Sequence, residues 1–339
     1  MKKLRVLVLV HQDLIPPDIC PSKEEREQAP WKTEYDVVQA LKAMKHEVQC
    51  VGIYDDLRPL KKSIESMKPH IVFNLLEEFA GESVFDCHVV SYLELLGIHY
   101  TGASSRGLLL ARDKALSKKI LSYHRIPTPQ FVVYRRNKKI SVPSRLSFPL
   151  FVKTVNEEAS LGISQESIVK NEEELVKRVK YLWERFGTDV LAETYIDGRE
   201  FYVGVLGNER LKVLPVWELF FNKLIEKSSP IATRKVKWDL NYRKKYGIQT
   251  GPAKNLLPEQ EKKIFSLCRR AYRALNLNGY ARMDLRMNSR GQIFLLEVNP
   301  NPDIGFGEEM AESAEFLGWD YKKLLSKILH LGLSYVYPH

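Results

Sequence analysis

Between Tyr280 and Asn299 two alternating strands, "YARMDLRM" and "IFLLEVN", flank a polar turn. Side chains alternate faces along a strand, so Tyr280, Arg282, Asp284 and Arg286 share one face, and Ile293, Leu295, Glu297 and Asn299 share another. A turn through Asn288, Ser289, Arg290 and Gly291 makes the pair an antiparallel hairpin. With the turn centred between Ser289 and Arg290, Asp284 lies opposite, or one pair away from, Leu295 or Glu297. Two carboxylates and an amide oxygen then converge. Carboxylates that close repel unless a cation lies between them. A few hard oxygen ligands suit Mg²⁺ that also holds phosphates. The bland alternative is a solvated strand face with two chance acids. Against it, Asn299 runs into "PNP", which no ordinary strand continues.

The start of the chain has a different pattern. "LRVLVLV" is a continuous apolar run of strand length, as in a parallel sheet covered on both faces. "TEYDVVQALKAMKHE" places Val37, Val38, Leu41 and Met44 on one helical face, and "VQCVGIY" and "HIVFNLL" read as further buried strands. A helix over "SVFDCHVVSYLELLG" and the segment "IHYTG" complete an alternating α/β unit over residues 1–105. Residues 106–188 then offer a basic helix "RDKALSKKILSYH", strands "QFVVYR" and "FPLFVKT", a strand-like "GISQESIVK", and a helix "NEEELVKRVKYLWERF" capped by Asn171 and Glu174. Residues 189–339 hold "DVLAETYI", "REFYVGVLG", a long polar stretch from Glu226 to Lys254, a helix from Pro258 to Leu275, the hairpin, and a helix from about Glu308 to Leu329. A polar stretch that long inside a folded unit is either disordered or a functional lid.

Length and composition suit a multi-domain globular protein: 339 residues, 44% hydrophobic, 28% charged. Lys and Arg outnumber Asp and Glu by 52 to 42, a net charge of +10, which suits a polyphosphate substrate or nucleic acid as well as a merely solvated surface. Cys20, Cys50, Cys87 and Cys268 stand far apart with no zinc spacing, as expected of reduced thiols in the cytoplasm. The apolar run near the start is too short for a signal peptide, and no stretch approaches a membrane span.

Lys153 in "PLFVKT" ends an apolar strand, where an ammonium is costly unless it meets an anion. Some forty residues on, "LAETYIDGRE" offers Glu193 at a strand end and Glu200 beyond a turn at Gly198. Taken in order, "ARDKALSKKIL", "FVKT", "AETYIDGREFYVGVLG", "GYARMDLRM" and "FLLEVNPNP", with "VVSYLELLGIHYTG" before them, resemble the ATP-grasp superfamily. Within it the chain looks like the D-alanine–D-alanine ligase family from about Val6 to Leu329.

The resemblance implies an α/β ATP-grasp architecture, with an N-terminal open parallel-sheet domain and two α+β subdomains that clamp ATP. It implies an ATP-dependent ligase joining a carboxylate to an amine through an acyl phosphate, with Mg²⁺ (two ions, or Mn²⁺) and a homodimeric habit. Lys114 and Lys153 would contact the phosphates, together with Glu157 and Ser160 of the covering loop. Glu193 and the backbone of Thr194, Tyr195 and Ile196 would hold adenine, and Glu200 the ribose. Asp284, Glu297 and Asn299 would bind metal, and Arg282 would stabilise the developing oxyanion. Lys245 and Tyr246 would belong to a closing loop that excludes water.

The chain departs from the family pattern where the joined amino acids would bind. Glu158 and Ala159 replace a glycine and a serine, "VHQDLIPPDICPSKEEREQ" replaces a glycine-rich turn, Glu77 and Glu78 replace a His-Gly step, and "PDIGFGEEMAESA" follows Asn299. The nucleotide half therefore matches, and D-alanine remains one option among amines. Two other readings are an ATP-grasp kinase of a small molecule, and a basic nucleotide- or nucleic-acid-binding protein with a degenerate site.

Overall fold

Three sheets follow one another along the chain. The computed structural model describes residues 2–19, 22–155, 162–222, 231–233, 236 and 239–336. Glu157 and Ser160, with Glu158 and Ala159, lie outside the described residues, as does part of the polar stretch after Asn222. The first sheet is parallel, order β2-β1-β3, from β1 (Arg5–His11), β2 (Glu47–Ile53) and β3 (Ile71–Asn74). Its central strand is apolar on both sides because both sides are covered: Leu7 and Leu9 join one core, while Val6, Val8 and Val10 join another. The second core is closed by Leu324, Leu325, Ile328 and Leu329 of the C-terminal helix Tyr321–Ser334.

The second sheet is antiparallel, order β4-β7-β5-β6, from β4 (Phe131–Tyr134), β5 (Leu150–Thr154), β6 (Ile168–Val169) and β7 (Val190–Thr194). Helix Glu172–Phe186 lies over it through Leu175, Val179, Leu182 and Trp183. The Asn171 carboxamide caps that helix by accepting from the Glu174 amide at 2.9 Å. The third sheet runs β11-β10-β8-β12-β13 with β9 beside β8, from β8 (Arg199–Leu206), β9 (Lys212–Val213), β10 (Trp217–Phe221), β11 (Ile248–Pro252), β12 (Tyr280–Met287) and β13 (Ile293–Asn299). Its pairings are antiparallel throughout, and helix Pro258–Ala274 backs it with Ile264, Leu267, Cys268 and Ala271.

Several local expectations change. Helix Arg58–Met67 lies between β2 and β3, where the sequence offered no signal beyond Leu60 and Ile64, its two buried residues among lysines and serines. "GISQESIVK" is a 3₁₀ turn, Gln165–Ser167, followed by the two-residue β6, because Ser164 and Ser167 hydrogen-bond reciprocally instead of extending the strand. Val190–Thr194 pairs inside the second sheet, so that sheet continues past the expected boundary at residue 188. The last helix is two, Glu309–Phe316 and Tyr321–Ser334, broken at Gly318 with φ +83°. The end of the polar stretch forms helix Leu240–Tyr246 and edge strand β11.

Candidate active site

Hairpin β12–β13 sets the geometry. Its register pairs Arg282 with Asn299 and Asp284 with Glu297, then slips so that Leu285 meets Leu295. The slip is a bulge at Leu296, which turns that side chain toward a small cavity. Arg282 donates to Asp284 in a fork, Nε at 2.8 Å and Nη2 at 3.1 Å, lies over the Tyr202 ring at 5.1 Å, and reaches Glu309 at 3.8 Å. Burial opposes its charge, yet the Asp284 carboxylate holds the guanidinium well above its ordinary range. Asn299 Oδ1 accepts from the Asn301 amide at 2.9 Å.

The second sheet brings its cation to this hairpin. β5 and β7 pair Phe151 with Glu193, so Lys153, two residues along, shares the face of Glu193. Lys153 Nζ lies 3.1 Å from Glu193 and 3.6 Å from Glu297. A second lysine, Lys118 of helix Lys114–Tyr123, reaches Glu193 at 2.7 Å and donates to Thr128 Oγ1 at 2.9 Å. All three charged groups are buried. Burial drives Lys118 down, whereas Lys153 resists the same burial and rises because it faces two carboxylates. Glu193 is lowered despite burial by the two ammonium groups. The carboxylate of Glu193, expected beside adenine, is paired with both lysines.

Two adjoining cavities share Lys153, Ile163 and Glu297 on their walls. The smaller, about 70 Å³, is bounded by Glu193 through Ile196, Glu200, Asp284 and Arg286. Arg286, given no role in the sequence reading, organises it. Its guanidinium donates to Glu200 at 2.7 and 3.0 Å, to the Tyr195 hydroxyl at 3.1 Å and to the Ile196 carbonyl at 2.9 Å. Tyr202 donates to the other oxygen of Glu200 at 3.0 Å, so the expected ribose ligand is already held from two sides.

The larger cavity, about 490 Å³, takes Lys114, Arg282 and Asn299 onto its walls and extends to the first sheet. Neither Lys245 nor Tyr246 lines either cavity. Tyr246 packs against the cluster of Tyr202, Trp217, Leu219, Val236 and Ile248, Lys245 is exposed over the Tyr246 ring, and Arg243 of the same helix enters the cleft instead.

A family model described as the D-ala D-ala ligase C-terminus matches residues 119–330. Relatives of known sequence include an uncharacterized protein, y4sG, of Sinorhizobium fredii, 33% identical over 87% of this chain and 86% of its own length. The D-alanine–D-alanine ligase of Desulforudis audaxviator is 30% identical over 87% of this chain and 91% of its own. The chain belongs to the D-alanine–D-alanine ligase family. It is thereby placed among ATP-dependent ligases that form carbon–nitrogen bonds. The architecture agrees. The crystal structure of D-alanine–D-alanine ligase from Bacillus anthracis complexed with ATP superposes with a TM-score of 0.74 at 23% identity, covering 97% of each chain. VanG D-Ala:D-Ser ligase from Enterococcus faecalis gives 0.70 at 21% identity, covering 98% and 100%. At such identity these two show the ATP-grasp fold.

Where the family pattern fails, the larger cavity is acidic: Glu77 and Glu78 line it, and so do Glu34, Asp303, Glu308 and Glu309, none of which the sequence reading singled out. Burial, with Asp303 nearby, pushes Glu34 up to about 7, and burial with Asp303 and Glu309 does the same to Glu308. Glu34 thus titrates in the fold above its free value of 4.5, so folding favours its protonated form. That contribution, on the order of 3 kcal/mol, is complete below the free value and is lost as pH rises through about 7. Without ligand, wild-type Tm is expected to fall relative to Glu34→Gln as pH is raised from 4.5 to 7.5. Parallel Tm curves would remove the burial argument for this residue.

Proposed function

We propose that the chain phosphorylates a carboxylate with ATP and transfers the resulting acyl group to an amine. The observation carrying this reading is that Lys153, from the second sheet, meets Glu297, opposite Asp284 on the hairpin, on the wall the two cavities share. Adenine would occupy the smaller cavity beside Thr194 to Ile196, with Glu200 toward ribose and the phosphates directed at Lys153 and Lys114. The larger cavity would hold the carboxylate and the amine. A carboxylate oxygen takes the γ-phosphoryl group and ADP leaves. The amine nitrogen then bonds to the carbonyl carbon, the carbon–oxygen bond to phosphate breaks, and the amine gives up a proton.

Asp284, Glu297 and Asn299 fit a divalent ion, because two carboxylates and an amide oxygen share one face in register. Among the described residues no group of three Asp, Glu, His or Cys could hold a metal, and the Asn299 amide would serve as the third protein donor. Bound Mg²⁺ would neutralise charge on the transferring phosphoryl oxygens. Arg282 would leave its fork on Asp284 and stabilise the oxyanion formed as the amine adds.

Measured ADP release that requires both a carboxylate and an amine, with an amide found by mass spectrometry, tests the reading. ADP formed without an amine and a stable phosphorylated product would replace it with a kinase. A homodimer in the cytoplasm is part of the same proposal. Its support is the exposed Leu95 and Leu109 on two packed helices and the free thiols of Cys50, Cys87 and Cys268. Among the described residues no helix is long and apolar enough to cross a membrane.

A further inference from the structure

The wall of the larger cavity away from the nucleotide carries six carboxylates: Glu34, Glu77, Glu78, Asp303, Glu308 and Glu309. Several have counter-groups. Lys32 lies 3.3 Å from Glu308, His11 3.4 Å from Glu78 and Arg282 3.8 Å from Glu309, while the Thr33 hydroxyl donates to Asp303 at 2.7 Å. Glu34 differs. Its side chain lines the cavity at 5% exposure, and its Oε2 has no hydrogen-bond partner among the described residues.

A buried carboxylate oxygen left without a donor is costly, and the cost disappears when a ligand supplies the donor. The neighbours decide the sign of that ligand. Asp303 stands close enough to raise both Glu34 and Glu308, so an anion there would add to the repulsion. A metal ion is a poor answer for this wall, since among the described residues no three Asp, Glu, His or Cys are grouped so as to hold one. Leu14, Pro30, Leu75 and Ile304 put apolar wall between the acids, which suits methylene groups.

We propose that the amine substrate carries a second positive charge, as in a diamine or a dibasic amino acid, and that its distal ammonium donates to Glu34 beside Asp303 and Glu308. This rests on the ligase reading for the identity of the ligand as acceptor, but the site itself does not depend on turnover. The acids occupy the region where the chain departs from its family's pattern, which is where a changed acceptor would be read.

The test is calorimetric binding to the full chain with ADP and magnesium, in two matched pairs: 1,4-diaminobutane against butylamine, and lysine against norleucine. The member of each pair with the additional ammonium should bind about tenfold tighter or better, the scale of one charge-assisted contact. Glu34→Gln and Glu308→Gln should each bring the pairs together, while ADP binding reports that the variants are folded. Equal affinities within the pairs, or a preference unmoved by both substitutions, overturns the proposal. Dication binding that depends on Glu34, without ADP release from any carboxylate, would support this site and remove the ligase reading. Amide formed from neutral amines equally well by wild type and Glu34→Gln would keep the ligase and remove the cation site.

Discussion

Arg282→Ala is expected to leave ATP affinity near wild type and to lower amide formation about 10²–10³-fold, the cost of one oxyanion donor. The expectation follows from where the guanidinium stands. It lines the larger cavity, forked onto Asp284, over the Tyr202 ring and within 3.8 Å of Glu309. The smaller cavity, where the base would sit, is organised by Arg286, not by Arg282. Loss of Arg282 therefore removes positive charge from the place where acyl oxygen charge would develop. Arg282→Lys keeps a charge but loses the fork, so partial activity is expected from it. Single-turnover measurements of acyl transfer, beside ATP binding by calorimetry, separate the two effects. Equal loss of ATP binding and of turnover in Arg282→Ala would assign the residue to nucleotide binding. Unchanged turnover would remove it from the reaction.

Much of this site was legible because the relevant residues violate their local pattern. Asp284, Glu297 and Asn299 sit on strands whose alternation shows which faces they share, and the register put Asp284 against Glu297. Lys153 ends an apolar strand, and its charge there demanded the anion that Glu193 supplies. Other residues hide because they obey their pattern. Lys118 stands in "KALSKKIL" beside Lys119 and reads as one more solvated lysine, yet it is 1% exposed. Only the packing of its helix against β7 and β13 buries it. Glu34 precedes an apolar stripe and looks like an ordinary first-turn acid, while Glu308 looks like a cap. Arg243, Lys245 and Tyr246 occupy one helix of seven residues, and which of them points inward depends on how that helix sits on β11. A sequence pattern cannot set that rotation when the neighbouring residues are basic or aromatic on every side. Arg286 was placed on the right face by alternation, but its partner Glu200 lies 86 residues away.

Glu193→Ala is expected to destabilise the protein by about 3–5 kcal/mol, because it leaves two buried ammonium groups without their shared carboxylate. Lys118 and Lys153 would then face each other across the vacated space, with Glu297, at 3.6 Å, the nearest remaining anion for Lys153. Glu193→Gln should be nearly as damaging, since the amide keeps the shape but not the charge. The two lysines are not equivalent. Lys153 is supported by two carboxylates and raised, whereas burial lowers Lys118, so Lys118 is the cation the trio holds less firmly. Lys118→Met leaves a balanced Lys153–Glu193 pair and should cost far less than Glu193→Ala. In the double variant Lys118→Met/Glu193→Ala, part of the loss should be recovered, because one of the two uncompensated charges is gone. Denaturant midpoints for the four proteins measure this coupling. Additive losses would mean that Lys118 and Glu193 stabilise the fold independently, and the buried trio would then be a matter of proximity rather than charge balance. Lys153→Met is the contrasting case: it also spares Glu193 one partner, but it should weaken ATP binding, because Lys153 is the member of the trio that lines both cavities.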